Sequence, residues 1–334
     1  MTTVLNQLDA GVSAHIEAAV PGVTAITLAP SGTMPPGITG DVLLIPRRSK
    51  NWAELLETGV SWVHIAGAGV EGIPTELLGD VTVSCSRGAY AVPMAEYVMT
   101  ALLTAEKSIP NVWVSDQPTG AWGDLGRLEE RAEELNAVRP WKAVPEQWGF
   151  APVGTLVGRT VAIVGFGATG REIAKRLIPF GSDVIGVRRS DRPSEVPGVS
   201  IMNLDSALAV ADHVVVAAPA TADTHHLIDE RTLATMKSGA HLVNVARGSL
   251  VDQHAVLAAL DSGHLGLATL DVAEPEPLPS GDPLYAHPRV RMTPHVSWCS
   301  PTRQQRVAEM FIEELRRFVA GEPLLNVVDT EAGY

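Results

Sequence analysis

Val161-Ala162-Ile163-Val164-Gly165-Phe166-Gly167-Ala168-Thr169-Gly170 reads as a buried strand that runs into a glycine turn and then a helix. Residues 161–164 form a short, mostly β-branched apolar run, which suits a parallel strand covered on both faces. Directly after it, Ile173, Ala174, Leu177 and Ile178 recur at the spacing of one helix face, and Gly181 stands where a left-handed C-cap is expected. Gly165 permits the tight turn, Gly167 lets a pyrophosphate approach the backbone, and Gly170 lets the helix lie against its strand. Phosphates held here would rest on a helix N-terminus, where unpaired N–H groups and the helix dipole favour anions. A glycine turn in this context predicts dinucleotide binding.

Downstream, strands are expected over 160–164, 184–187, 213–217, 241–245, 266–270 and 290–292, mostly alternating with helical stretches. That alternation, opening on the glycine turn, predicts an α/β domain with a doubly wound parallel sheet. Past the last strand, Ser300 is placed to cap a helix with Pro301 at its first position. Val307, Met310, Phe311, Leu315, Phe318 and Val319 give that helix one apolar stripe, and it is expected to return to the first domain.

Upstream, residues 23–28, 42–45, 62–65 and 81–84 read as four short strands separated by turns and by helical stretches such as 52–57. They define a smaller α/β domain. Gly67-Ala68-Gly69-Val70, between its last two strands, reads either as a run of backbone N–H groups able to face an anion or as a tight strand-to-helix connection. A long helix over 93–107, with Met94, Val98, Ala101, Leu102 and Ala105 on one face, would carry the chain into the second domain. The expected division is residues 1–104 with 299–334 in the substrate domain and 105–298 in the dinucleotide-binding domain. Over 108–149 the periodicity fails, and Trp113, Trp122, Trp141 and Trp148 fall there. A stretch so long and irregular suggests an arm against a partner subunit or a cover over the site, and its tryptophans favour the arm.

With 334 residues the chain is long enough for two cores, and a formal net charge of -13 argues against nucleic acid or an anionic membrane as the main partner. Cys85 and Cys299 are too few and too far apart for a disulfide framework or a zinc site, so a reducing, cytoplasmic setting and no metal are expected. No signal peptide or membrane span is expected either.

In open α/β sheets ligands bind beyond the carboxyl ends of the strands. Arg247 follows one such end in Val245-Ala246-Arg247-Gly248, Glu276 follows the next in Asp271-Val272-Ala273-Glu274-Pro275-Glu276-Pro277, and His295 follows the last in Thr293-Pro294-His295. Each alone has an ordinary explanation as a turn, loop or capping residue. Together they form the set that carbonyl reduction by hydride transfer requires, a cation for a carboxylate and carbonyl oxygen and an acid for the new alkoxide.

These stretches, with Asn244-Val245-Ala246-Arg247-Gly248-Ser249-Leu250-Val251-Asp252 and Leu270-Asp271-Val272 through Glu276-Pro277-Leu278, resemble the D-isomer-specific 2-hydroxyacid dehydrogenase family, in its glyoxylate/hydroxypyruvate reductase-like branch. Gly67-Ala68-Gly69-Val70 and Ala95-Glu96 also look like family landmarks. The resemblance runs from about Asp41 to Val327 and leaves out the tryptophan-rich insert. It implies a Rossmann-type sheet beside a smaller flavodoxin-like α/β substrate domain, a 2-keto or 2-hydroxy acid as substrate, and a homodimer. Arg247 would then grip the substrate carboxylate and carbonyl oxygen, with the backbone of Ala68, Gly69 and Val70 on the same carboxylate. His295 would be the general acid in reduction, and Glu276 would hold its imidazole and stabilise the charged form. Asp271 would contact the nicotinamide carboxamide. Pro219, Thr224, Val245 and Ala246 would join Gly165, Gly167, Ala168, Thr169 and Gly170 around the cofactor.

Arg188-Arg189-Ser190 follows the second strand, 18 residues after Gly170 at its start, near the place where an acid normally binds the ribose 2′-OH of NAD. No acid stands there, so NADP is expected as the preferred cofactor, with NAD possible. Arg47, Arg48 and Lys50 read as a solvated basic turn, or as residues favouring a second anionic group on the substrate. No regulatory domain is expected to follow Tyr334, so the longer phosphoglycerate dehydrogenases with such an appendage are expected to be poor models. Two other readings stay open, a formate-type dehydrogenase on the same fold, against which Glu276 argues, and a cofactor-sensing binding protein without turnover.

Overall fold

The computed structural model describes residues 1–29, 34–46, 49–70, 72–109, 154–190 and 192–329. Arg47, Arg48 and almost all of the tryptophan-rich stretch lie outside the described residues. Two compact units emerge, Met1–Tyr90 with Cys299–Tyr334, and Ala91–Trp298. Among the described residues no helix is long and apolar enough to cross a membrane.

The first unit holds a parallel sheet of β1 (Thr2–Asn6), β2 (Val23–Thr27), β3 (Val42–Ile45), β4 (Trp62–Ile65) and β5 (Thr82–Cys85), in the order β2-β1-β3-β4-β5. That is the flavodoxin-like order. With it go α1 (Ala10–Ala19), α2 (Trp52–Leu56), α3 (Thr75–Leu78) and α10 (Arg303–Ala320). Side chains alternate across the strands, so Val4, Val42, Leu44 and Trp62 pack on Ile16, Phe311 and Leu315, while Leu5, Leu43, Ile45 and Val63 pack on Leu55 and Leu78. β1 was not among the expected strands: its apolar core is only Val4-Leu5, set between Thr3 and Asn6, so no apolar run announces it.

Two expectations for the last helix are corrected. Thr302, not Ser300, is the N-cap of α10, and Ser300 instead accepts from the Thr302 N–H at 3.2 Å. Its buried stripe also turns further than the apolar residues suggest, since Val319 is 46% exposed whereas Ile312 and Glu314 are buried. Glu314 is accommodated because its carboxylate accepts from the backbone N–H groups of Leu325 and Asn326, both at 2.9 Å, and from Asn326 Nδ2 at 3.0 Å.

His64, fully buried on β4, meets Ser84 Oγ at 2.7 Å and Ser86 Oγ at 2.9 Å. Burial lowers its pKa from 6.5 to about 3. The unfolded chain therefore takes up a proton below pH 6.5 that the folded chain refuses until about pH 3, and stability falls as pH drops through that window. The slope attributable to one such group is at most about 1.4 kcal/mol per pH unit. Urea unfolding between pH 7 and pH 4.5 is expected to show a flatter pH dependence for His64→Gln than for the wild type, and an identical slope would assign the acid sensitivity elsewhere.

The second unit holds β6 (Thr160–Val164), β7 (Asp183–Val187), β8 (Val199–Met202), β9 (His213–Val216), β10 (Ala240–Asn244), β11 (Leu265–Leu270) and β12 (Val290–Met292). All pair in parallel in the order β12-β11-β10-β9-β6-β7-β8. Its helices are α4 (Ala91–Glu106), α5 (Ala168–Leu177), α6 (Leu204–Val210), α7 (Glu230–Thr235), α8 (Gln253–Asp261) and α9 (Pro283–Ala286). Val161, Ile163, Val215 and Val243 pack against Val98, Leu102, Ile173 and Leu177, while Ala162, Val164, Val214 and Leu242 pack against Leu208, Leu233 and Leu260. The chain winds outward in both directions from β6, so the crevice of a doubly wound sheet lies between the ends of β6 and β9. β8 is an unexpected seventh strand at the sheet edge, where only partial burial is needed and its residues alternate between half-buried and exposed.

A buried polar line crosses the α4 side of this sheet. Glu106 Oε1 takes Arg159 Nε at 3.2 Å and His213 Nε2 at 3.0 Å. His213 Nδ1 then meets His241 Nδ1 at 3.2 Å, and His241 Nε2 meets Thr269 Oγ1 at 2.9 Å.

Candidate active site

The glycine turn connects β6 to α5, and each glycine has a distinct physical reason. Gly165 has φ +98, and a Cβ there would come within 2.4 Å of the Ala218 backbone. A Cβ on Gly170 would meet the Gly165 carbonyl at 2.7 Å, so helix and turn pack too closely for any side chain. A Cβ on Gly167, by contrast, would meet nothing within 4 Å. That open face at a helix N-terminus is a cradle of the kind that a pyrophosphate fits. Ala168 and Thr169 form the first turn of α5.

After β9, Thr224 Oγ1 donates to the Pro219 carbonyl at 2.7 Å and accepts from the Thr221 N–H at 2.8 Å, which fixes the 219–224 turn. After β10, Val245 and Ala246 are buried, and Asn244 holds the next turn by accepting from Ala246 N at 3.0 Å and donating to the Arg247 carbonyl at 2.8 Å. Arg247 Nη1 donates to the Ala246 carbonyl at 2.7 Å.

Beyond β11 and β12 the structure brings Glu276 and His295 together. Glu276 Oε2 lies 2.9 Å from His295 Nδ1, and Glu276 Oε1 accepts from the Ala273 N–H at 3.1 Å. His295 has a left-handed backbone, φ 55, which a non-glycine residue adopts only when its surroundings hold it there. Its N–H donates to the carbonyls of Asp271 at 2.8 Å and Thr293 at 3.0 Å, and Trp298 Nε1 donates to its carbonyl at 2.7 Å.

Asp271 is tied into the turn that follows β12. Its side chain is 1% exposed and accepts from Thr293 Oγ1 at 2.6 Å, Val296 N at 2.8 Å and Ser297 N at 2.9 Å. The carboxylate therefore organises the turn that carries His295. Tyr97 of α4 extends the set by a 2.6 Å hydroxyl contact with Thr293, and burial raises its phenol pKa. Tyr97, Val296, Ser297 and Trp298 were not singled out from the sequence; for the backbone donors no side-chain pattern could have marked them.

Arg188 is less available than its position after β7 suggests. Its Nη2 donates to the carbonyls of Arg192 and, at 2.9 Å, Pro193, and its Nη1 lies 3.9 Å from Glu195 Oε1. Arg171, in the first turns of α5, lies 3.6 Å from the other Glu195 oxygen. Arg189 and Ser190 follow Arg188 at the same strand end. Ala68, Gly69 and Val70 follow β4 at its carboxyl end, in the first unit.

A family model described as the NAD binding domain of D-isomer specific 2-hydroxyacid dehydrogenases matches residues 136–297. A solved D-isomer specific 2-hydroxyacid dehydrogenase from Xanthobacter autotrophicus Py2, in complex with NADPH and MES, is 30% identical, covers 100% of this chain and 99% of its own, and superposes with a TM-score of 0.76. The chain belongs to the D-isomer specific 2-hydroxyacid dehydrogenase family. An NADPH-dependent glyoxylate/hydroxypyruvate reductase from Sinorhizobium meliloti, solved with NADP and sulfate, is 28% identical over the full length of both chains, with a TM-score of 0.74. The glyoxylate reductase of Korarchaeum cryptofilum is 40% identical over 53% of this chain and 54% of its own. A second glyoxylate reductase, from Thermofilum pendens, matches over 56% of its length, so the chain spans about half of these curated relatives. Membership agrees with both sheet orders, which are those implied by the resemblance of the sequence stretches.

Proposed function

We propose that the protein reduces a 2-keto acid to the D-2-hydroxy acid, with NADPH preferred over NADH. The observation that carries the reading is the His295–Glu276 pair, closed at 2.9 Å beyond the carboxyl ends of β11 and β12, on the sheet whose strand β6 opens into the glycine cradle. The bound nicotinamide would supply the hydride. Arg247 would hold the substrate carboxylate and polarise the carbonyl, and His295 would protonate the oxygen as it becomes an alkoxide. Glu276 would keep the imidazole oriented. Pairing of two copies into a homodimer rests on the tryptophan-rich stretch together with the family resemblance. The test is NADPH absorbance followed with glyoxylate, hydroxypyruvate, pyruvate and longer 2-keto acids. Cofactor binding without turnover of any of them would replace the reading with that of a cofactor-sensing protein.

The cofactor preference rests on Arg188 and Arg189 at the ribose end of the cradle, supported by relatives solved with NADPH and NADP. Glu195 is the nearest competitor for a 2′-phosphate there, but its side chain is 65% exposed and its two arginine contacts are long, so its hold is weak. A charge-assisted contact contributes roughly 1.5 to 3 kcal/mol, enough for about tenfold or more in preference. At low salt kcat/KM with NADPH is expected to exceed that with NADH by at least about tenfold, and Arg188→Asp to abolish or reverse the ratio. Equal efficiency with both cofactors, or an unaltered ratio in the variant, would remove this turn as the reader of the ribose.

A further inference from the structure

We infer that His225, His226 and Glu274 form a binding site for a divalent transition-metal ion of the zinc type, outside the catalytic pair. One ligand atom from each residue lies within 4.8 Å of the other two, at the protein surface. The two imidazoles are stacked, with centroids 4.0 Å apart and planes 23° from parallel. Zinc takes nitrogen and oxygen ligands at roughly 2.0 to 2.2 Å, and side-chain rotation alone can close three atoms already this near onto one ion.

What makes this more than a chance meeting of side chains is the scaffold beneath it. His226 has φ 50, and its N–H donates to the Ser249 carbonyl at 2.8 Å, with the Ile228 N–H on the Leu250 carbonyl at 2.9 Å. Glu274 is fixed to the same segment. Its carbonyl accepts from Gln253 Nε2 at 2.6 Å and its N–H donates to Gln253 Oε1 at 3.1 Å. A Cβ on Gly248 would stand 2.1 Å from the Ala273 carbonyl group, so the glutamate loop rests directly on that glycine. The backbones that carry the ligands on both loops thus hang from residues 248–253, and what is left for an ion to order is the three exposed side chains.

Two imidazoles and one carboxylate select Zn2+, Co2+ or Ni2+ over Mg2+ or Ca2+, which prefer oxygen-only shells. An ion held here would also tie the 221–228 segment to the loop that carries Glu276, two residues beyond Glu274. The sequence reading expected no metal because it weighed cysteines, whereas these ligands come from positions 225, 226 and 274.

The experiment is calorimetric titration of the full, untagged chain with ZnSO4, without cofactor or substrate, alongside His225→Ala and Glu274→Gln. Saturable binding near one equivalent is expected, with no heat of binding from MgSO4. Loss of even an outer partner of a metal ligand costs about 10- to 100-fold in affinity, so each variant should bind at least about tenfold more weakly. Absence of binding by the wild type, or equal binding by both variants, overturns the site. Thermal melting without metal confirms that the variants fold. Keto-acid turnover is a separate measurement, so neither result decides the other.

Discussion

Replacing His295 with asparagine is expected to lower kcat for keto-acid reduction by at least about 100-fold, the usual contribution of a positioned general acid, while the affinity for NADPH is retained. Asparagine is the informative choice because position 295 has φ 55, and asparagine is among the few residues that adopt that conformation readily. The variant thus removes the imidazole without adding backbone strain. A Glu276 carboxylate only accepts, so the 2.9 Å contact would place a hydrogen on His295 Nδ1 and leave Nε2 for the substrate oxygen in the proposed reaction. In the proposed reduction His295 would give the Nε2 proton to the new alkoxide oxygen, and the ring would stay held to Glu276 through Nδ1. Glu276→Gln keeps an acceptor but removes its charge, and its kcat should fall between those of the wild type and His295→Asn. Retention of more than about a tenth of kcat by His295→Asn would exclude His295 as the proton donor, given that expected contribution.

The second large effect is expected at Arg247. A guanidinium meeting a carboxylate in bidentate fashion makes two charge-assisted hydrogen bonds of about 1.5 to 3 kcal/mol each, so Arg247→Gln should lower kcat/KM by about 100-fold or more. The turn that presents this residue is held on the strand side by Asn244, whose bonds to Ala246 N and to the Arg247 carbonyl do not involve the Arg247 side chain. The fold around the site should therefore survive the substitution. A control separates carboxylate binding from general damage: an aldehyde of matched size without a carboxylate should lose far less activity than glyoxylate. If both substrates suffer equally, Arg247 does not read the carboxylate.

Much of this architecture was legible because the central strands of a covered parallel sheet must be short apolar runs, and 42–45, 62–65, 160–164 and 290–292 coincide with strands in the structure. Edges and polar-flanked strands escape that logic. β8 needs burial on only part of its surface, and β1 offers two apolar residues in five. The helix cap moved from Ser300 to Thr302 because several residues there could end the chain's approach equally well. In the candidate site, residue types at strand ends singled out Arg247, Glu276 and His295, and the family resemblance added Asp271, but the hydrogen-bond partners of Asp271 were not readable. Its three donors come from residues 293–297, brought back only when β12 pairs with β11. Arg188 teaches the same lesson, since its carbonyl partners belong to a turn whose path depends on packing.

The buried line from Glu106 to Thr269 obeys a parity rule. Two rings that meet Nδ1 to Nδ1 must differ, one nitrogen bearing hydrogen and the other bare. Glu106 accepts, so His213 carries hydrogen on Nε2. If His213 is neutral, its bare Nδ1 requires the other tautomer of His241, whose Nε2 then receives the Thr269 hydroxyl. If His213 gains a proton, every later bond in the line reverses: His241 switches tautomer and Thr269 turns from donor to acceptor. Charge arriving at the Glu106 end is thereby written into the direction of a hydroxyl on β11, two residues before Asp271, where the strand has ended.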